Sequence, residues 1–231
     1  MSTAWAAASK PSCLEIRALR FAPGGFLRFD GVMEQLLTKV RACTLCKGLP
    51  LGPRPLVQAS ATSRLLIAGQ APGRATHIKG IPFDDASGRR LRAWLGLAPD
   101  VFYDPAKVAI LPMGFCFPGS GAGGDLPPRA ECAPQWRRPL LDAMPDVALT
   151  LVIGRYALAW HLPAARKRSL ADLAQAVDLP QGVVVLPHPS PRNNRWLAQN
   201  PWFEARVLPK LRETIASLWV DLPQSDGRTI C

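Results

Sequence analysis

No run of eighteen uninterrupted apolar residues occurs in the chain, so a membrane-spanning helix of ordinary length is excluded. The N-terminal run Trp5-Ala6-Ala7-Ala8 is too short for a signal peptide and has no basic leader. The expectation is a cytosolic protein. In that reducing compartment, clustered cysteines serve as metal ligands or catalysts more readily than as disulfides. Carboxylates are scarce: 17 Asp and Glu stand against 28 Lys and Arg, giving a net charge of +11 and a pI near 10.0. That excess points to a polyanionic partner whose binding weakens with salt, a phosphate backbone being the commonest. Asparagine is scarcer still, at Asn193, Asn194 and Asn200 only. There is no internal repeat.

The 231 residues suit one domain with one substantial core. Residues 1–30 carry Pro11, Pro23, Gly24 and Gly25 without a clear period and read as an irregular arm; residues 31–231 read as the domain. Asp30 is placed to cap a helix from Gly31 onward, with Met33, Leu36, Leu37 and Val40 on one apolar face. Strands are expected at Leu65–Ala68, residues 108–111, Leu149–Ile153 and Val183–Leu186. Helices are expected from Ser87-Gly88 onward, over residues 156–162, and in a closing segment kinked or started at Pro209. The Gly/Pro-rich residues 118–128 read as a long loop. Strands alternating with helices predict an α/β fold, with a parallel sheet covered on both faces. Trp94, Trp136, Trp160 and Trp219 are assigned to packing.

Six cysteines are present, and four of them, Cys43, Cys46, Cys116 and Cys132, fall into a pattern. A CxxC pair at a helix end is followed, after a long gap, by two cysteines in one loop. Four thiolates suit tetrahedral zinc or an iron–sulfur cluster, and either would staple the N-terminal helix to the loop after the second strand. The alternative is four unrelated buried cysteines, since Cys13 and Cys231 fit no pattern. Two polar loops follow expected strands: Gly69-Gln70-Ala71-Pro72-Gly73, and His188-Pro189-Ser190-Pro191. The carboxyl ends of strands are where open α/β sheets place their sites.

Together Cys43-x2-Cys46, Gly69-Gln70-Ala71-Pro72-Gly73, Gly80-Ile81-Pro82-Phe83, Ser87-Gly88, Cys116, Cys132 and His188-Pro189-Ser190 resemble the uracil-DNA glycosylase superfamily. They look most like its iron–sulfur family 4 branch, over roughly residues 30–215. The resemblance implies a three-layer αβα domain around a four-stranded parallel sheet, a [4Fe–4S] cluster on Cys43, Cys46, Cys116 and Cys132, and a uracil pocket at the strand ends. It implies that the Gly69, Gln70 and Ala71 loop lies beside the flipped sugar and that Phe83 stacks on the base. It implies that His188 donates to uracil O2. The residues after it would enter the minor groove. Two departures stand out. The branch carries Glu where this chain has Gln70, and its base-reading Asn falls at Pro112. The extended basic insert of the covalently trapping branch is absent.

Breaking an N-glycosidic bond needs negative charge near the sugar and a donor at the leaving base. Gln70 cannot ionise and Ala71 has no polar group. The nearest carboxylates are Asp84 and Asp85, with Asp85 preferred; the other reading of the pair is a cap for the Ser87 helix. A donor such as His188 is worth about 2–4 kcal/mol at the transition state. Ser87, Ser190, Arg192 and Arg195 are the candidate DNA contacts, a solvated loop being the plainer reading of each Arg. Nothing besides Lys79 suggests a Schiff-base lyase, so a monofunctional glycosylase is expected. The expected partner is uracil-containing DNA, single- or double-stranded, bound by a monomer. The alternatives are a glycosylase for hypoxanthine or xanthine, and a non-catalytic DNA-binding iron–sulfur protein.

Overall fold

The computed structural model describes residues 25–176 and 179–219. Cys13, Cys231 and most of the expected N-terminal arm lie outside the described residues. Helix α1 spans Gly25–Arg41, so it begins inside the stretch read as an arm, and Asp30 sits within the helix rather than at its cap. Its buried positions Met33, Leu37 and Val40 are those of the expected apolar face.

Four parallel strands, β1 (Leu65–Ala68), β2 (Val108–Ile110), β5 (Leu149–Ile153) and β6 (Val183–Leu186), form a sheet in the order β2-β1-β5-β6. Each strand is short, apolar and rich in Leu, Ile or Val, as a strand covered on both faces must be. The pleat divides their side chains. Leu65 and Ile67 join Val108, Ile110, Leu149, Leu151 and Leu186 in one apolar layer, under α3 (Ala86–Leu95) and α9 (Leu208–Ser217). Leu66 packs on the other face with Ala109, Leu111 and Phe115, under α1 and α5 (Cys132–Asp142). Ala68, Val152 and Val185 continue that face under α6 (Gly154–His161) and α7 (Leu170–Gln175). This is a three-layer αβα domain with a four-stranded parallel sheet.

Several expectations need correction. The loop over residues 118–128 contains an antiparallel hairpin, β3 (Ser120–Gly121) with β4 (Gly124–Asp125). Two-residue strands leave no alternation in the sequence to signal them. Cys132 opens helix α5 instead of lying in a loop, and Pro139 sits inside that helix. The closing helix does start at Pro209 as expected, running Leu208–Ser217 with Pro209 in its first turn, and it is preceded by a π-turn, Phe203–Val207. Trp160 is exposed, whereas Trp94 is buried in the core. Three short helices, α2 (Arg74–Lys79), α4 (Pro99–Phe102) and α8 (Asn194–Gln199), carried no periodic signal.

One polar group crosses the interior. Arg137, on α5, is completely buried. Its Nη1 donates to the carbonyls of Leu111 at 2.8 Å and Pro112 at 3.2 Å, and its Nη2 meets His161 Nε2. Burial first, and then the Arg137 charge, push His161 down to about 4 from an ordinary 6.5, so a neutral His161 accepts from Arg137. The unfolded chain therefore takes up this proton before the folded chain does. Its contribution to stability is complete above about pH 6.5 and is lost as the pH falls toward about 4. Chemical denaturation at stepped pH should show stability declining across that window. His161→Gln, which keeps an acceptor for Arg137 but cannot titrate, should flatten the decline; an unchanged slope would contradict the assignment.

Candidate active site

A cleft of about 420 Å³ opens at the carboxyl ends of β1, β2 and β6, within the range of small-molecule sites. Gly69, Gln70, Ala71, Pro72 and Gly73 supply its floor after β1, Ile110 and Pro112 one wall at the end of β2, and His188 another wall after β6. The two loops singled out in the sequence thus meet in one place. The floor is fixed by backbone bonds, Met113 N–H to the Gly69 carbonyl at 2.8 Å and Gly114 N–H to the Gln70 carbonyl at 2.9 Å.

Phe83 lines the cleft with its backbone at φ 54°, a left-handed conformation that is unusual for a bulky residue. Its ring packs over Gly69, where an added Cβ would lie 3.7 Å from the ring, and meets Phe102 edge-on at 6.4 Å. Gly88, in the first turn of α3, is what permits this. A Cβ there would stand 1.6 Å from the Phe83 carbonyl oxygen, so only glycine lets the helix lie against the loop. Arg92 Nη1 reaches the same carbonyl at 3.4 Å and the Tyr103 hydroxyl at 3.0 Å.

His188 is held on two sides. The Ser190 backbone N–H donates to His188 Nδ1 at 3.2 Å, and Asn193 Nδ2 donates to the His188 carbonyl at 2.6 Å. Because Nδ1 accepts, the neutral ring carries its proton on Nε2. Burial pushes His188 below its ordinary 6.5, against the opposing pull of Asp85 and Asp125, so the ring is neutral at pH 7. The Ser190 hydroxyl accepts from Arg192 N–H at 3.2 Å and starts the turn Pro191–Asn193, while Arg90 Nη1 ties the Ser190 carbonyl to α3 at 3.1 Å. Asn193 carried no role in the sequence, yet it braces the histidine loop and lines the cleft.

The carboxylates sort clearly. Asp85 lines the cleft and also caps α3, its Oδ1 accepting from Gly88 N–H at 2.8 Å. Asp84 points to the rim, paired with Lys79 at 3.1 Å, and is not among the cleft residues. Gln70 is turned toward the hairpin, its Nε2 donating to the Leu126 carbonyl at 2.9 Å and less closely to that of Asp125 at 3.4 Å. From the other side Arg192 Nη1 donates to the Gly123 carbonyl at 3.2 Å. The hairpin is therefore clamped over the cleft and brings Asp125 into it, a carboxylate hidden in the sequence by its Gly-rich surroundings. Ser87, Ser190 and Arg192 line the cleft; Arg195 is exposed on α8 outside it.

A second, smaller cavity gathers Cys43, Cys46, Cys116 and Cys132, with Leu49, Phe115, Arg129 and Trp136 around them. All four are free thiols. They come from the segment after α1, the loop after β2 and the first residue of α5. Among the described residues no three His, Cys, Asp or Glu side chains are already drawn around one ion position. The thiols nevertheless share one space, and two N–H groups aim at sulfur: Phe115 N at 3.4 Å from Cys132 Sγ and Trp136 Nε1 at 3.3 Å from Cys43 Sγ. Burial chiefly, with the other thiols adding, pushes Cys132 up to about 12; burial likewise raises Cys46 and Cys116. Cys46, Cys116 and Cys132 thus resist ionising partly because of neighbouring thiols, a repulsion that a cationic centre would reverse.

The family model described as the uracil DNA glycosylase superfamily matches residues 57–212, about two-thirds of the 231-residue chain. The matched stretch contains all four parallel strands and every residue of the cleft except Leu56. Nitrogen-detected NMR of histidine rings should find His188 as the Nε2–H tautomer at neutral pH. An Nδ1–H tautomer would mean that the Ser190 bond does not hold the ring.

Proposed function

We propose, since the chain belongs to the uracil DNA glycosylase superfamily, that its substrate is uracil in DNA. Membership makes it a DNA glycosylase, a hydrolase that releases damaged bases. The uracil reading, and the nearer likeness to the iron–sulfur family 4 branch with an altered first motif, are supported by the site. The observation that carries the reading is a stacking ring and a neutral imidazole donor, Phe83 and His188, facing one cleft large enough for a base.

A base inside a duplex is out of reach, so it must be turned out of the stack into the cleft. Phe83 offers it a face. As the C1′–N1 bond breaks, the electron pair leaves on the pyrimidine ring, and the His188 Nε2–H donates to the oxygen that gains charge. Asp85, near enough to His188 to pull its pKa upward, places negative charge in the cleft where the sugar becomes cationic. Ser87, Ser190, Arg192 and Arg195 carry the phosphate contacts, and the net charge of +11 draws the polyanion to this basic chain. Cys43, Cys46, Cys116 and Cys132 would hold a [4Fe–4S] cluster that ties α1 and α5 to the loop after β2. The enzyme works as a monofunctional monomer in the cytoplasm. The reducing setting suits the thiols, and Lys79 is engaged by Asp84 instead of facing the cleft. Among the described residues, no helix is long and apolar enough to cross a membrane.

One observation favours a second reading. Pro112 lines the cleft and offers no amide to read a pyrimidine edge, so hypoxanthine or xanthine in DNA is the competing substrate. Single-turnover assays on oligonucleotides bearing one uracil, one hypoxanthine or one xanthine separate the two. Uracil should be released fastest; faster release of a purine would replace the uracil reading, and release of none would end the glycosylase reading. His188→Ala should lower the single-turnover rate by about 10²–10³-fold while DNA affinity stays within a few fold. A wild-type rate would make His188 structural. Protein purified without oxygen should be brown and carry iron and sulfide, whereas a colourless protein with stoichiometric zinc would overturn the cluster assignment and leave the glycosylase assignment intact.

A further inference from the structure

We propose that Asp125, the last residue of β4 at the open end of the β3–β4 hairpin, is the catalytic residue that positions the attacking water and accepts its proton. This rests on the glycosylase reading of the same cleft. Cleavage by water needs two different things on the sugar side, negative charge and a base for the water. Asp85 is poorly suited to the second task. Its Oδ1 is committed to capping α3, accepting from the Gly88 N–H at 2.8 Å, so that oxygen is not free to hold a water.

Asp125 is arranged differently. Among the described residues its Oδ1 accepts from the Ser120 hydroxyl, at 2.9 Å, which fixes the carboxylate's orientation. Its Oδ2 faces the loop after β1, 3.4 Å from where a Cβ on Gly73 would stand. The hairpin that carries it is anchored by Gln70 on one side and Arg192 on the other, so the carboxylate is held by the cleft's own walls. Gln70, which occupies the place of the missing carboxylate in the first motif, donates to the backbone at Asp125 and Leu126. The amide thereby positions a neighbouring acid in place of serving as one. Asp125 is exposed in the free protein, which gives water access to it before DNA covers the cleft.

The step balances. Water oxygen bonds to C1′ as the C1′–N1 bond breaks. The bonding pair leaves on the base, stabilised by His188. One water proton passes to the Asp125 carboxylate and then, through solvent, to the departing base. The products are the free base and an abasic sugar, with no other reactant.

The test compares wild type, Asp125→Asn, Asp125→Ala and Ser120→Ala in single-turnover uracil excision, with DNA affinity measured alongside. Asp125→Asn keeps an acceptor for Ser120 and should fold normally, yet excise at least 10²-fold more slowly with affinity unchanged. Added formate should restore part of the rate of Asp125→Ala, a recovery that a purely structural role would not show. Ser120→Ala should lose ten-fold or less. If wild type excises and Asp125→Asn keeps its rate, the inference fails and the glycosylase reading stands. It also fails if Ser120→Ala is as slow as Asp125→Ala and formate restores neither, because the hairpin would then be only a strut. A wild type that releases no base ends both.

Discussion

The contact of Gly88 with the Phe83 carbonyl decides where the rest of the cleft can stand. Any side chain at residue 88 would collide with that oxygen, so the first turn of α3 reaches the loop only as bare backbone. The approach holds Phe83 in a left-handed conformation that costs a bulky residue about 1–3 kcal/mol. The cost is offset by the Phe102 edge and by Arg92, which reaches the same carbonyl and stacks on both Phe102 and Tyr103. The same helix supplies Arg90 to the histidine loop and accepts Asp85 as its cap. One helix therefore orients the stacking ring, one carboxylate and the loop carrying the imidazole.

The cleft and the exterior have opposite electrostatic characters. The chain as a whole carries +11, yet two carboxylates, Asp85 and Asp125, flank a neutral His188 inside the cleft. In the function proposed, long-range attraction gathers the DNA, and the local negative charge serves a developing sugar cation. The thiol cavity inverts this logic. Its four thiols are gathered by the fold, and burial together with neighbouring thiols opposes the ionisation of Cys46, Cys116 and Cys132. Arg137 packs beside it, bonding the carbonyls of Leu111 and Pro112, and so links the α5 helix that begins at Cys132 to the wall of the cleft.

The parallel strands were legible because each is a short apolar run buried on both faces; Leu65–Ala68, Leu149–Ile153 and Val183–Leu186 fall where the pattern puts them. The two loops after β1 and β6 could be placed in one site for the same reason, since parallel strands open their carboxyl ends on one side. What failed had no periodic signature. The hairpin strands are two residues each, and α5 hides behind Pro134 and Pro139. The choice between Asp84 and Asp85 could not be made from sequence alone. It depends on which of the two caps α3 and which meets Lys79, both consequences of tertiary position. Asp125 was invisible because its place in the cleft comes from bonds to Gln70 and Arg192, residues 55 and 67 positions away in the chain.

The central claim is that Phe83 and His188 receive a base turned out of DNA. A crystal structure of the protein bound to a duplex carrying 2′-fluoro-2′-deoxyuridine, which resists cleavage, tests it directly. The account predicts the uracil ring out of the stack and flat on Phe83, with its O2 about 3 Å from His188 Nε2. A base still paired in the duplex, or one lodged away from His188, would contradict it.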